Sequence, residues 1–288
     1  MKLYTRFGAL FSATILATFL GACSDDSTSS SSENEIQSSA TDSAGAGNSS
    51  SSIEPTSSAE PSSSMLEGSS SSAGAALSHA SEGVLFSWVG ADDGSRITTG
   101  LDNGTGTSGY WYWFEDDADG GNSRIEWPEE LAWDDWDLFA PIVEECKGIC
   151  GKFTLDQGNS DEEPFVGLGF YLAGTELPNG GAADTTDITA WEGLCVAYSS
   201  TSAIKLLLGY SDGYEAAVGY LLPSVTMPIS TEGTVECYRW KQFGIGWGVD
   251  PHMDQLVKKA ASVKFRIQGK SGTTGEFNIM SVSSYVEL

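Results

Sequence analysis

The sequence predicts an all-β domain, either a β-sandwich or a β-barrel, over residues 82 to 288. Short apolar runs recur in this part of the chain, and Gly, Asn, Asp and Ser separate them. Long segments with helical periodicity are nearly absent, and several of the short runs alternate between apolar and polar residues. Regularly spaced strands with turn residues between them are typical of sandwiches and barrels. The length is that of one domain with a substantial core, and it contains all nine tryptophans.

Nine segments are predicted to be strands because each is short, rich in apolar or aromatic residues and bounded by turn residues: "GVLFSWVG", "SGYWYWF", "GKFTL", "FVGLGFYLAG", "GLCVAYSS", "IKLLLGY", "ECYRWKQF", "SVKFRIQG" and "EFNIMSVSSYV". Only "DQLVKKAA" and "PEELAWDDWDLF" have a helical pattern. The prediction is therefore a β fold with at most two short helices.

Alternation predicts which residues of two strands face the core. The inward set consists of Val166, Leu168 and Phe170 in one strand and Val263, Phe265 and Ile267 in the other. The opposite set consists of Phe165, Gly167, Gly169 and Tyr171, with Lys264, Arg266 and Gln268. One outer face is thus expected to combine aromatic rings, hydrogen-bond donors and glycines that leave room for a ligand chain. The alternative is the ordinary polar outside of a soluble sandwich.

The stretch "GYWYWF" has two faces if it is a strand. Tyr110, Tyr112 and Phe114 lie on one side, and Trp111 and Trp113 lie on the other. Because large indoles dominate protein cores, we expect the tryptophans to be buried and the tyrosines to lie nearer a ligand face.

Residues 1–23 are predicted to be a lipoprotein signal peptide. Lys2 and Arg6 precede the apolar run "ALFSATILATFL", and "LGAC" ends it. The tetrapeptide resembles a bacterial lipobox, in which the cysteine is acylated, so Cys23 is the expected lipid anchor. The alternative is an ordinary secretory signal. Ser24 follows the cysteine where the inner-membrane sorting rule requires Asp, which favours the outer membrane and the cell surface.

Residues 24–80 are predicted to be a disordered linker. Serine is their most frequent residue and no aromatic residue occurs among them, so too little apolar surface is present to offset the entropy of folding. The segment either lifts the domain from the membrane or is a tail without a mechanical role.

The charge of the chain limits its partners. Forty acidic residues oppose fourteen basic ones, giving a net charge of −26. Such a field repels nucleic acid and anionic lipid, so the membrane is expected as a partner only through the lipid anchor. Neutral ligands and metal cations remain as the expected classes of partner.

Four cysteines follow Cys23, an even number in an exported chain, which predicts two disulfides with three possible connectivities. The favoured connectivity joins Cys146 to Cys150 across "CKGIC" and Cys195 to Cys237 between strands. A zinc site is the competing interpretation, but the spacing is not that of paired zinc knuckles.

The acids after the aromatic stretch suggest a structural calcium ion. Glu115, Asp117 and Asp119 alternate and Gly120 follows, as at the start of a calcium loop. The later bidentate glutamate of an EF-hand is missing and no helices flank the segment. A solvated surface loop is therefore the alternative.

Catalytic motifs are not apparent in the sequence. It has no G-x-S-x-G elbow, and His252 in "VDPHMD" lies beside acids in a predicted loop. Acid pairs are so numerous that they identify no glycosidase site. The domain is therefore predicted not to be an enzyme, with a carbohydrate-active enzyme of unrecognised type as an alternative.

Several short motifs together resemble the galactose-binding-like jelly roll of family-11 carbohydrate-binding modules and complex-I-intermediate-associated domains. They are "GYWYWFEDDADGGNS", "PFVGLGFYLAG", "DITAWEGLCVAYSS", "IKLLLGYSDGY", "YRWKQFGI" and "SVKFRIQGKSGTTGEFNIMSV". The resemblance spans residues 82 to 288. The chain also resembles lipoproteins and enzymes of fibre-degrading bacteria, in which such a module accompanies a Ser-rich linker.

The resemblance implies a jelly-roll sandwich that binds β-glucan or another plant polysaccharide on its concave sheet, without cleaving it. The implied binding residues are Tyr110, Tyr112, Tyr171, Lys264, Arg266 and Gln268 on the open face, with Tyr210 and Asp212 at its rim. The family's fold also serves proteins that bind no sugar. A structural or protein-interaction module at the outer membrane is therefore the alternative function.

Overall fold

The structure is a computed structural model that describes residues 84–133, 137–245 and 253–285. The predicted signal peptide with its Cys23 anchor, and the linker at 24–80, lie outside the described residues. Within the described ranges, no helix is both long enough and apolar enough to cross a lipid bilayer.

Thirteen strands form in the described ranges, and we number them in chain order: β1 Ser87–Val89, β2 Trp111–Glu115, β3 Arg124–Glu126, β4 Ile149–Thr154, β5 Phe165–Tyr171, β6 Thr175–Leu177, β7 Gly180–Ala183, β8 Gly193–Ser200, β9 Ile204–Gly209, β10 Ser224–Met227, β11 Ser230–Arg239, β12 Ser262–Gln268 and β13 Thr274–Ser284. Each of the nine predicted strand segments overlaps one of them. The other four (β3, β6, β7 and β10) are three or four residues long and carry little apolar pattern that could have revealed them.

Eleven of these strands form two antiparallel sheets. The five-stranded sheet has the order β10-β9-β12-β5-β2, and the six-stranded sheet has the order β11-β8-β13-β4-β3, with β1 also paired to β13. The chain crosses repeatedly between the sheets, so β12 lies between β5 and β9 and β13 lies between β4 and β8. This is the connectivity of a jelly-roll sandwich, as predicted. Strands β6 and β7 form a separate hairpin.

Helices are short and lie in the connections: α1 Gly90–Asp93, α2 Ala140–Cys146, α3 Asp212–Ala217 and α4 Met253–Leu256, with 3₁₀ turns at Asp116–Asp119, Thr189–Trp191, Trp240–Gln242 and Val257–Lys259. The segment "DQLVKKAA", predicted to be helical, overlaps α4 and contains the 3₁₀ turn after it. The helix predicted for "PEELAWDDWDLF" is wrong, because its described residues form turns. The helix begins directly after it, at Ala140, where Pro141 occupies a position in the first turn that tolerates proline.

The core lies between the two sheets and confirms the predicted inward faces. Val166, Leu168, Phe170, Val263, Phe265 and Ile267 are all buried. Trp111 is buried against Trp88 and Phe170, with ring centroids 5.2 Å apart in both pairs. Trp113 is half-buried and packs against the core through Phe139. The two tryptophans of the "GYWYWF" stretch therefore face inward, as expected.

Both disulfides have the favoured connectivity. Cys195 and Cys237 lie opposite each other on β8 and β11, and Cys146 at the end of α2 bonds to Cys150 in β4. All four cysteines belong to the six-stranded sheet or to the helix that leads into it.

Candidate functional site

The candidate site is the outer face of the five-stranded sheet. Residues that pair directly across antiparallel strands point to the same side, and the register of β2, β5, β12 and β9 therefore defines two rows on this face. The first row is Phe114, Gly167, Arg266 and Lys205, and the second is Tyr112, Gly169, Lys264 and Leu207. Tyr171 pairs with Ser262 beyond the second row, and Phe165 pairs with Gln268 beyond the first.

Four aromatic rings form a continuous line on this face, and we call Tyr171, Tyr112, Phe114 and Phe165 the aromatic strip. The Tyr171 and Tyr112 rings are stacked, with centroids 4.7 Å apart and an interplanar angle of 27°. The Tyr112 to Phe114 and Phe114 to Phe165 distances are 6.3 and 6.2 Å. Each of the four side chains is half-buried, so the rings are held in place but keep exposed surface.

The glycines of this face do not leave an open channel, which corrects the sequence prediction. A methyl group on Gly167 would overlap the Phe114 ring, and one on Gly169 would lie 2.8 Å from the Tyr112 hydroxyl. The rings of β2 therefore lie across the glycines of β5. A ligand would rest on the aromatic rings rather than on the sheet backbone.

Cationic and amide side chains run beside the aromatic strip. The Arg266 guanidinium lies 5.6 Å from the centroid of the Phe165 ring, a distance at which a cation is attracted to an aromatic face. Lys205 donates a hydrogen bond to the Gln268 amide oxygen at 3.2 Å. Burial lowers the pKa of both Arg266 and Lys205, and their mutual repulsion lowers that of Lys205 further. The buried Arg266 Nε has no hydrogen-bond partner among the described residues.

Lys264 is fixed by a buried carboxylate that the sequence analysis did not identify. Its Nζ donates to both oxygens of Glu215 in α3, at 2.8 and 2.7 Å, and Glu215 is 5% exposed. The same carboxylate accepts the backbone N–H of Tyr210 at 2.7 Å. Space for the pair comes from Gly209, because a methyl group there would lie 2.6 Å from Lys264 Cε. The pair thus ties α3 to the outer face of the sheet.

Asp212 lies near Tyr171 at one end of this face, and its role in binding stays a prediction. It is the exposed first residue of α3. Burial raises the pKa of the Tyr171 hydroxyl, and the charge of Asp212 raises it further. Burial also raises the pKa of Tyr112. Both tyrosines are therefore neutral at physiological pH and able to donate as well as accept hydrogen bonds.

Tyr110 lies just before β2, where a loop formed by residues 94–109 borders the site. Arg96 covers the Tyr110 ring, with its guanidinium 4.8 Å from the centroid. Asp102 organises this loop by accepting hydrogen bonds from Ser108 Oγ and from the backbone N–H groups of Gly104 and Gly106. The Ser108 hydroxyl and these amides lower the pKa of Asp102 to about 2.

The prediction that Tyr210 lies at the rim is wrong. Tyr210 continues the inward-facing series of β9, after Leu206 and Leu208, and it is only 3% exposed. Its side chain lines a small, partly open pocket with Tyr214 and several apolar residues. The in-and-out alternation of β9 continues for one residue beyond the end of the strand at Gly209, which places the Tyr210 ring inside.

The acids after β2 do not assemble the predicted calcium site. Glu115 accepts the Ile125 backbone N–H at 2.9 Å, and burial raises its pKa. No three acidic, His or Cys side chains converge in a metal-binding group within 84–133, 137–245 and 253–285, so Glu115, Asp117 and Asp119 are not brought together. The buried acid of this segment is Asp116, which is 2% exposed.

Asp116 holds the turn that follows β2. Its carboxylate accepts hydrogen bonds from Ser123 N and Oγ and from Phe165 N, at 2.9, 2.6 and 3.0 Å. A side chain at Gly121 would overlap this carboxylate. Asp116 therefore joins β2 to the start of β5, where the aromatic strip ends.

Comparison with known proteins gives structural similarity only. No protein-family model and no curated protein matches the chain. Among solved structures, the chain is similar to the family 11 carbohydrate-binding module of the cellulosomal cellulase Lic26A-Cel5E of Clostridium thermocellum, at 11% identity and a TM-score of 0.35, over 65% of this chain and 95% of that one.

Two further solved structures are similar at comparable levels. A family 11 module from the same organism, in complex with a β-1,3-1,4-mixed-linked tetrasaccharide, is 9% identical with a TM-score of 0.33, over 62% of this chain and 91% of that one. An exo-β-agarase is 10% identical with a TM-score of 0.32, over 72% of this chain and 25% of that one. Similarity at this level assigns no ligand to the chain.

The sequence analysis named several residues of this face but not their arrangement, and their role in binding stays a prediction. Phe114, Lys205 and Glu215 were not among the predicted binding residues, although all three belong to this face or support it. The signal for Phe114 was available, because alternation places it on the same side of the strand as Tyr110 and Tyr112. The signal for Lys205 is strand register, which a single sequence does not supply. The role of Glu215 could not be predicted from local sequence, because its partner Lys264 is 49 residues away.

Proposed function

We propose that this protein binds a polysaccharide, without cleaving it, on the outer face of its five-stranded sheet. The observation that carries the proposal is the aromatic strip beside Lys264, Arg266 and Gln268. Sugars present flat C–H faces and hydroxyl groups together, so a sugar-binding surface needs aromatic rings and hydrogen-bonding groups side by side. The strip and the neighbouring row meet this requirement.

A polymer fits the strip better than a single sugar. The four rings follow one another across β2 and β5 with centroid spacings of 4.7, 6.3 and 6.2 Å, so a ligand that contacts all of them must be extended. The rings are already packed against one another and against glycines, so little side-chain entropy is lost when the ligand binds. An extended, neutral chain with alternating apolar and hydroxyl surfaces is the matching ligand.

The carboxylate beside the strip does not favour catalysis. Both oxygens of Glu215 accept hydrogen bonds from Lys264, so neither oxygen is free to act on a ligand. A glycosidase needs a protonated acid and a second carboxylate with access to the glycosidic bond. We therefore propose that the domain binds its ligand without cleaving it.

The proposal extends to the cellular context. A lipid on Cys23 would anchor the chain at the outer membrane, residues 24–80 would serve as a tether, and the domain would hold the cell to plant-type polysaccharide such as β-glucan. The negative field of the chain, with its net charge of −26, supports a neutral rather than an anionic polymer.

Affinity electrophoresis of the full chain in gels containing β-glucan, xylan or mannan tests the proposal. We expect retardation in at least one gel, reduced by Tyr171→Ala and by Arg266→Ala with little change in melting temperature. Arg124→Ala is the matched control because it removes an exposed arginine from the other sheet. Migration unaffected by every polysaccharide would refute polysaccharide binding, and released reducing sugar would show an enzyme instead.

A further inference from the structure

A groove lies on the opposite side of the sandwich, on the outer face of the six-stranded sheet. This groove has a volume of about 390 Å³, within the range of roughly 300–1,000 Å³ typical of small-ligand sites. The floor of the groove is formed by β3, β4, β8 and β13. Trp127, the residue after β3, forms a wall. Its lining residues with side chains suited to ligand contact are Glu126, Trp127, Lys152, Ser199, Glu276 and Asn278.

The register of the strands places three charged residues of the groove in one line. Glu126 on β3 pairs with Lys152 on β4, and Lys152 pairs with Glu276 on β13. The two glutamates are therefore two strands apart, roughly 10 Å between their Cα atoms, with the lysine between them. Asn278 lies one position further along the outward series of β13, opposite Ser199 of β8.

These charged side chains are not engaged with the protein. Across the described residues, the side chains of Glu126, Lys152 and Glu276 form no ion pair and no side-chain hydrogen bond. All three residues are exposed. They differ in this respect from Lys264 and Glu215 on the other face, which satisfy each other. The groove thus offers two acceptors and a donor for a ligand.

Trp127 gives the groove a rigid aromatic wall. Its ring packs edge-to-face against Phe139 at 5.2 Å and against Phe277 at 6.4 Å, and both phenylalanines are buried. The indole itself is half-buried. It is therefore held in one orientation and still presents surface to the groove, as a stacking platform requires.

The mixture of groups decides the chemical class of the ligand. An anion would meet Glu126 and Glu276, and a cation would meet Lys152 between them. A purely apolar ligand would desolvate three charges without replacing their hydrogen bonds. A neutral polyhydroxylated ligand with an apolar face satisfies all four groups, because its hydroxyls can donate to the carboxylates and accept from the ammonium.

We infer that this groove is a second saccharide site, separate from the aromatic strip, which makes the domain bivalent for glycans. The inference rests on the proposed function only for the idea that the chain meets glycans; its residues belong to a different sheet. Two sites on opposite outer faces can engage two polymer chains or two parts of one chain. Such bivalency raises avidity without any new contact at either site.

Isothermal titration calorimetry of the full chain with cellohexaose, xylohexaose and mannohexaose tests the inference. We expect two binding events per chain for at least one of these probes. Trp127→Ala and Glu126→Gln/Glu276→Gln should each remove one event or weaken it at least tenfold. The paired Gln variant keeps the shape of two exposed side chains, so it separates lost binding from lost folding. Tyr171→Ala/Arg266→Ala should remove the other event.

The outcomes distinguish the two sites. One event that the strip variant abolishes and the groove variants leave unchanged overturns the groove and keeps the strip. One event with the reverse pattern supports the groove and overturns the proposed function of the strip. No heat of binding with any of the three hexasaccharides overturns the groove. Arg124→Ala changes an exposed neighbour of Glu126 on β3 that does not line the groove, so it should behave as the unaltered chain does.

Discussion

The two outer faces of the sandwich carry similar residue types in different states. On the five-stranded sheet, Lys264 is bonded to the buried Glu215 and the rings stack over glycines. On the six-stranded sheet, Lys152 lies exposed between two glutamates and forms no ion pair with any residue that the structure describes. The first face is organised before any ligand arrives, whereas the charges of the second stay hydrated. Residue composition therefore does not reveal which surface is preorganised; burial and pairing do.

The two sheets also differ in what stabilises them, since both disulfides belong to the six-stranded side. Cys195→Ala/Cys237→Ala should cost about 4 kcal/mol of unfolding free energy, because this bond closes a long loop in the unfolded chain. The sequence separation is 42 residues, against 4 for Cys146 and Cys150. Denaturant unfolding of both double variants checks this. Removing the short-loop disulfide is the matched control and should cost about 2 kcal/mol; equal losses would contradict the loop argument.

The five-stranded face should depend instead on its buried ion pair. Glu215→Ala leaves Lys264 unpaired and the Tyr210 N–H unsatisfied, and we expect a loss of about 3 kcal/mol in unfolding free energy. Glu232→Ala, an exposed glutamate of β11, is the matched control. Lys264→Met added to Glu215→Ala should recover part of the loss. A Glu215→Ala variant as stable as the control would show that the pair does not organise this face.

The loop beside Tyr110 should give the five-stranded side a dependence on acid. The folded pKa of Asp102 is about 2, below its ordinary value of 3.8, so its contribution is complete above that ordinary value and is lost as pH falls through about 2. Asp102→Asn should therefore lower the melting temperature at pH 7 by a small amount and have little effect at pH 2. A loss of the same size at both pH values would assign the effect to packing.

Calcium should have the smallest effect of all. Glu115 is bonded to β3, and Glu115, Asp117 and Asp119 do not converge, so we expect the same melting temperature in calcium and in EDTA. Stabilisation that saturates with calcium concentration would reveal an ion that the described side chains do not hold in their present arrangement.

Much of the fold follows from local pattern, whereas the site depends on pairing. The alternation in "SVKFRIQ" and "FVGLGFY" predicts which side chains are buried, because a strand has only two faces. The disulfide between β8 and β11 was also predictable, from cysteine number and strand positions. The Lys264 to Glu215 pair and the rings over Gly167 and Gly169 were not, since each joins distant segments whose register a single sequence does not encode.

Hydroxyl-radical footprinting of the full chain, read by mass spectrometry, tests the central claim most directly. With β-glucan, xylan or mannan in solution, oxidation of Tyr171, Phe114 and Phe165 should fall for at least one polymer. Trp133, which is 70% exposed and lies outside both surfaces, serves as the internal reference and should not change. Unchanged oxidation of these three rings with every polymer would contradict polysaccharide binding on the five-stranded face.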